Sequence, residues 1–143
     1  MTDATHLILP AEVLRAIAAH CERAYPHEAC GLLVGTADRV ARAEPIENVW
    51  PEEEERENRF LLDPLAQLRL ERSLDGTGLS TIGSFHSHPD HPAEPSRFDA
   101  EAAWPGYWYV IVPVVAGRAG TPRLWTYDLA SGGFSERLFS ATA

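Results

Sequence analysis

The chain has 143 residues, 45% of them hydrophobic and 23% charged, with a formal net charge of −9. That length suits one domain of common size with a real core. The acidic balance argues against a nucleic-acid or anionic-membrane surface, because both are bound through clustered Lys and Arg.

Leu7-Ile8-Leu9 is a short apolar run ahead of Pro10, a residue pre-set for a first helical turn. Val13, Leu14, Ile17 and Cys21 recur at helical spacing and predict an amphipathic helix from about Pro10 to Ala24. Tyr25-Pro26 ends it, since the residue before a proline is pushed out of the α region. Gly31 to Gly35 reads as a buried strand, Thr36 to Arg39 as a turn, and Val40 to Val49 as a second strand. The acidic run Glu52 to Glu57 reads as a solvated, mobile loop, with contact to a basic partner as the other reading. Arg59 to Leu62 predicts a short strand. Asp63 is placed as a helix cap with Pro64 after it, and the helix is expected to reach about Ser73.

Asp75-Gly76-Thr77-Gly78 is a turn, and Leu79 to Phe85 is the strand that carries His86 and His88. A Pro-rich loop separates this strand from a short helix over Ser96 to Trp104, stopped by Trp104-Pro105-Gly106. Tyr107 to Val115 is rich in aromatic and β-branched residues and predicts a strand. Gly117 to Gly120 is a turn. Arg123 to Asp128 and Phe134 to Phe139 are strands joined by a hairpin turn at Ser131-Gly132-Gly133. The sum is one α+β (α/β-like) domain over residues 1–143: a mixed, curved sheet of about seven strands flanked by about three helices.

Cys21 and Cys30 are too few for a disulfide scaffold and are spaced unlike a zinc ribbon, so both read as small buried hydrophobes. The opening MTDATHLILP lacks the basic segment and long apolar run of a signal peptide. The most apolar run, Val110 to Ala116, contains Pro113 and is too short to span a bilayer. A cytoplasmic location is expected. Trp104, Tyr107, Trp108 and Tyr109 read as core and cleft wall rather than a base-stacking platform, given the acidic charge.

The chemistry concentrates between His86 and Asp99. On a strand, residues two apart point the same way, so His86 and His88 can grip one metal ion. Asp99, in the first turn of the following helix, is the best-placed third ligand; three protein ligands plus water is the catalytic zinc pattern. Ser96 lies one helical turn earlier, where its hydroxyl can sit beside the metal. Glu28, before another strand, can serve as general base, although geometry alone does not single it out from 21 acidic residues. Other readings coexist. Ser96 and Asp99 also form a helix-capping pair. His-x-His alone also fits two strand-end histidines. His86-Ser87-His88-Pro89-Asp90-His91 matches the H-x-H-x-D-H string of metallo-β-lactamase-like hydrolases, but that fold needs further histidines downstream and His91 is the last one here.

His86-x-His88, seven residues, then Ser96-x-x-Asp99 resembles the JAMM motif of the JAB1/MPN/Mov34 metalloproteases. The segment Pro26-His27-Glu28-Ala29-Cys30-Gly31-Leu32-Leu33-Val34-Gly35 is similar to the stretch that carries that family's catalytic glutamate. The resemblance implies a single MPN-type domain and a zinc-dependent peptidase or isopeptidase. His86, His88 and Asp99 would hold Zn²⁺ with water as fourth ligand. Glu28 would move protons and Ser96 would bind the oxyanion. Small prokaryotic relatives cleave after the C-terminal Gly-Gly of ubiquitin-like or sulfur-carrier proteins, so such a carrier is the implied partner, with no nucleic acid and no membrane. The segments near Asn48 and Arg59-Phe60 correspond to where relatives contact substrate; the acid density of Glu52 to Glu57 departs from that pattern. A catalytically silent MPN scaffold is the competing reading. The oligomeric state is left open, a homodimer being one option.

Overall fold

A computed structural model describes residues 6–142 of the chain. Met1 to Thr5, where the signal-peptide reading begins, and Ala143 lie outside the described residues. The strands are β1 (His6–Ile8), β2 (Cys30–Thr36), β3 (Arg39–Ile46), β4 (Ser80–Pro89), β5 (Trp108–Val115), β6 (Arg118–Ala119), β7 (Arg123–Asp128) and β8 (Gly133–Ser140). The helices are α1 (Ala11–Ala24), α2 (Pro64–Ser73) and α3 (Arg97–Glu101). One mixed sheet holds all eight strands in the order β4-β2-β3-β1-β8-β7-β5-β6, and β4 also pairs with β5. The ladder of pairings therefore returns on itself, through a parallel β1–β3 contact at Ile8 and Arg39 only. The expected mixed, curved sheet with three helices is what forms.

β4 is the keystone. It runs antiparallel to β2 on one side and parallel to β5 on the other. Eight consecutive residues, Ile82 to Pro89, are buried. A strand enclosed on both edges and both faces needs small or apolar residues where backbones close in. Gly83 meets that need: a Cβ there would run into the Trp108 carbonyl of β5. Gly31 of β2 likewise leaves room for the Phe85 ring. The parallel β4–β5 pairing requires a crossover, and the loop with α3 supplies it.

α1 lays Val13, Ile17 and Cys21 onto the sheet, where they join Leu7, Leu9, Leu33, Val40, Phe85, Trp108, Val110 and Leu124 in the core. Both cysteines are free and buried, as their spacing suggested. Asp63 caps α2 by accepting from Leu65 N–H at 3.1 Å. No residue of α2 is buried, and Leu65 and Leu68 stay exposed.

Four local expectations change. Leu7-Ile8 becomes part of a strand, β1, because β8 offers its free edge in parallel register. Arg59 to Leu62 forms no strand beyond one isolated bridge between Leu62 and Asn48: the Asn48 side chain takes the Arg59 carbonyl and the Leu61 N–H, and the Leu61 carbonyl accepts from Val49 N–H. The helix expected to reach Trp104 ends at Glu101; Trp104 N–H goes to the Tyr109 hydroxyl at 2.6 Å. The strand expected to end at Phe85 continues to Pro89, since β5 pairs with it through Val114. His86 and His88 lie on that strand, as their alternation required.

Gly83→Ala is expected to destabilise the fold by about 1–3 kcal/mol through overpacking against Trp108. Gly133→Ala, where a Cβ meets open space, should stay within about 0.5 kcal/mol of the parent. Urea unfolding of the two variants measures the contrast.

Candidate metal centre

Strand alternation places His86 and His88 on one face of β4 and Ser87 on the other. The Nε2 atoms of the two histidines lie 3.2 Å apart. Asp99 reaches them from α3: its Oδ1 is 3.1 Å from His86 Nε2 and its Oδ2 3.1 Å from His88 Nε2. All three residues are buried. Among the described residues they form the one group of His, Cys, Asp or Glu side chains able to hold a metal ion together.

The orientation of each ligand has a cause. His88 Nδ1 is 2.7 Å from the Pro92 carbonyl, so Nδ1 carries a proton and donates it, leaving Nε2 to face the cluster. The Phe60 ring stacks on His86 at 4.7 Å. Asp99 is fixed by a capping box: Ser96 N–H donates to Asp99 Oδ2 at 2.9 Å, and Asp99 N–H donates to Ser96 Oγ at 3.0 Å. The capping and ligating readings therefore hold together in the same carboxylate. Burial opposes ionisation of Asp99, but the adjoining histidines and the Ser96 N–H outweigh it and hold the carboxyl far below its usual range.

Glu28 precedes β2 and is also buried. Its main chain is tied on every side. Glu28 N–H donates to the Arg56 carbonyl at 2.6 Å, and Asn48 Nδ2 donates to the Glu28 carbonyl at 3.0 Å. The next residue is stitched to β4: Ala29 N–H donates to Ser87 Oγ at 2.8 Å, and Ser87 N–H donates to the Ala29 carbonyl at 3.1 Å. Among the described residues, Glu28 Oε1 and His86 Nδ1 are the buried side-chain polar atoms without a hydrogen-bond partner. Burial, and then the charge of Asp99, push the Glu28 carboxyl up to about 9, with Arg59 opposing them. A buried Glu28 oxygen without a partner, near enough to Asp99 to feel its charge, is one that a cation with its water would satisfy. Tetrahedral zinc with bonds of about 2.0–2.1 Å sets ligand atoms about 3.3 Å apart. The observed spacings fit that donor set.

A cleft of about 620 Å³ opens at the cluster. His86 and Asp99 are on its wall, with Trp50, Phe60, Phe98 and Trp104 around them. Trp50 and Phe60 each meet the Phe98 ring edge-to-face, and the Arg59 guanidinium lies 4.9 Å over that ring. Of the four aromatics expected as core and wall, Trp108 is core, while Trp104, Tyr107 and Tyr109 line the cleft.

Of the sequence-predicted residues, His86, His88 and Asp99 converge and Ser96 is tied to Asp99 by the capping box, while Glu28 is buried and feels the charge of Asp99. The H-x-H-x-D-H string is not gathered there. Asp90 is exposed, with its carboxylate accepting from the Tyr25 hydroxyl at 2.7 Å and from Ala116 N–H at 2.9 Å, and His91 is exposed too. Sequence reasoning missed Ser87 and Asn48 as organisers. Ser87 had a legible signal, since the residue between two ligands on a strand must face the core. Asn48, which the resemblance marked only as lying near a substrate-contact segment, had no signal for this role, because three of its four main-chain partners lie 20, 11 and 13 residues away.

The chain belongs to the family of prokaryotic homologs of the JAB domain, whose family description matches residues 10–128. Within it, the chain is 37% identical to a desampylase of Haloferax volcanii over 106 residues, 72% of this chain and 73% of that protein. It is 39% identical to a probable TtuB-protein conjugate cleaving protease of Thermus thermophilus, over 68% of this chain and 64% of that protein. A CysO-cysteine peptidase of Mycobacterium tuberculosis is 34% identical over 74% of this chain and 72% of that protein. Among solved structures, a protein of Desulfitobacterium hafniense superposes with a TM-score of 0.80 at 28% identity, covering 95% of this chain and 92% of that one. A JAB1/MPN domain protein of Archaeoglobus fulgidus shares the fold, with a TM-score of 0.61 at 17% identity over 96% of this chain and 100% of that one. No described helix is long and apolar enough to cross a membrane.

Two outcomes are expected. His88→Ala and Asp99→Ala should each lose zinc in metal analysis of the purified protein; full occupancy in Asp99→Ala would contradict its place in the donor set. The second concerns the metal-free chain. Folded Glu28 holds its proton up to about 9, against an ordinary 4.5. Between those values the native state binds more protons than the unfolded state, so stability falls as pH rises. Urea unfolding of chelated protein should show that decline, at most about 1.4 kcal/mol per pH unit, and Glu28→Gln should flatten it.

Proposed function

We propose that the chain is a zinc-dependent peptidase or isopeptidase that cuts after the C-terminal Gly-Gly of a ubiquitin-like or sulfur-carrier protein. The observation that carries the reading is the convergence of His86, His88 and Asp99 at a cleft, with a buried Glu28 whose Oε1 has no partner and whose carboxyl feels the charge of Asp99. The relatives named as desampylase, TtuB-protein conjugate cleaving protease and CysO-cysteine peptidase support the substrate class.

His86, His88 and Asp99 would hold the ion. When bound there, zinc supplies Lewis acidity that makes water a usable nucleophile near neutral pH. The chain's own residues do the rest. Glu28 is held neutral by burial in the metal-free chain, and a cation held at the cluster would favour its carboxylate form. It then acts as base: Glu28 Oε1 takes the proton of the attacking water and returns it to the leaving amine. Ser96 Oγ already accepts from Asp99 N–H, so its own hydroxyl proton is free to be donated to the developing oxyanion. The carrier tail lies along the aromatic cleft. A Gly-Gly tail offers main chain without side chains, which lets it approach the buried cluster between Phe60 and Phe98. A silent scaffold would have no use for a buried carboxyl left without a partner, because such a group destabilises the fold.

The test is cleavage of a Gly-Gly-tailed carrier fusion with and without chelator. Activity should require metal. Glu28→Gln should keep its zinc while kcat falls by about 10²–10⁴. A zinc-loaded parent that cleaves no such fusion would sink the proposal, and full activity in Glu28→Gln would remove Glu28 as the base.

A further inference from the structure

We infer that Asn48 is a positioning residue that locks the cleft wall and the general base into one unit. The inference rests on the peptidase reading for its kinetic consequence, but its structural part stands apart from it.

Asn48 lies just beyond β3 and opens the loop that carries Trp50, the acidic run and Phe60. Its carboxamide has two donors and two acceptor sites, and main-chain atoms engage all four. Nδ2 donates to the Glu28 carbonyl at 3.0 Å and to the Arg59 carbonyl at 3.1 Å. Oδ1 accepts from Trp50 N–H at 3.1 Å and from Leu61 N–H at 3.1 Å. Two carbonyls on one side and two N–H groups on the other leave one workable orientation of the amide.

The same loop returns to Glu28 from its far side. The Arg56 carbonyl accepts from Glu28 N–H at 2.6 Å, and Arg56 Nε donates to the Trp50 carbonyl at 2.6 Å. Glu28 is therefore suspended by its N–H and its carbonyl from two points of one loop. That loop also places Phe60 against His86 at 4.7 Å and Trp50 against Phe98 at 5.4 Å. Ligand, base and cleft wall share a single support, and Asn48 is the side chain that closes it. Asn48 is half-buried and does not belong to the hydrophobic core, so its removal loosens the loop without emptying the core.

Asn48→Asp isolates the claim. It keeps the size and the acceptor oxygen for Trp50 and Leu61, but it cannot donate to Glu28 or Arg59. The metal ligands sit on β4 and α3, so one zinc per chain should remain. On the metal-loaded variant, kcat for the Gly-Gly-tailed fusion should fall about 10–100-fold, as for other residues that orient a metal site, with a much smaller change in KM. Hydrogen exchange at the main-chain amide of Glu28 should speed up about tenfold or more, while Leu61, which keeps its acceptor, and Leu33 in β2 stay protected. Asn48→Ala should speed exchange at Glu28 without the added charge, and at Leu61 as well because its acceptor is gone. Retained kcat in Asn48→Asp overturns the inference, and so does a kcat loss that only tracks lost zinc. Unchanged exchange at Glu28 in Asn48→Ala overturns it whether or not the parent cleaves anything. A parent that binds zinc but cleaves nothing refutes the peptidase reading alone, and the exchange result still decides the role of Asn48.

Discussion

Ser87 and Ala29 exchange two hydrogen bonds, and the site depends on that exchange. Ser87 N–H donates to the Ala29 carbonyl, and Ala29 N–H donates to Ser87 Oγ. The pair extends the β2–β4 ladder, in which Cys30 already faces His86. On one side of the stitch stand the two histidines, and on the other stands Glu28. All of these groups are buried, and a buried main-chain donor without a partner costs about 1–3 kcal/mol, so the register has little freedom to slip. β5 then closes the far edge of β4 in parallel, and the crossover it requires brings α3 and Asp99 back over the histidines.

The arrangement concentrates polar groups where the core would otherwise be apolar. Asp99 offsets its burial locally, through two histidines and the Ser96 N–H. Glu28 does not, and its carboxyl is pushed up instead. Two buried carboxyls, one feeling the charge of the other, thus take opposite protonation preferences. The source of the divergence is specific: one carboxyl has donors and the other has none.

The cleft walls are aromatic and largely uncharged, whereas the exposed stretch Glu53–Glu55 forms a single 3-10 turn on the loop beside them. Trp50 links the two regions, with its ring edge against Phe98 and its Nε1–H donated to Glu55 at 3.1 Å. The acidic run that looked merely solvated is thus attached to the wall through one indole, although its other carboxylates remain in water.

The order of helices and strands was legible in the sequence because periodicity and turn residues are local. So was the spacing His86-x-His88 with Ser96-x-x-Asp99, which strand alternation and a helix cap turn directly into geometry. Glu28 was legible only by resemblance; nothing local distinguishes it from the other acidic residues. Tertiary structure decided what depends on distant partners. It turned Leu7-Ile8 into a strand by offering β8, and it kept Arg59 to Leu62 out of the sheet by giving its main chain to Asn48. It drew Asp90 away to Tyr25 and Ala116, which dissolved the rival six-residue motif. It also made Ser87 and Asn48 central through hydrogen bonds to residues 58 and 20 positions away. Sequence determines which groups can do the chemistry, because side-chain type and local spacing are written in it. Only the fold determines which of them are dry, paired or left without a partner, because burial and long-range hydrogen bonds are properties of the assembled chain.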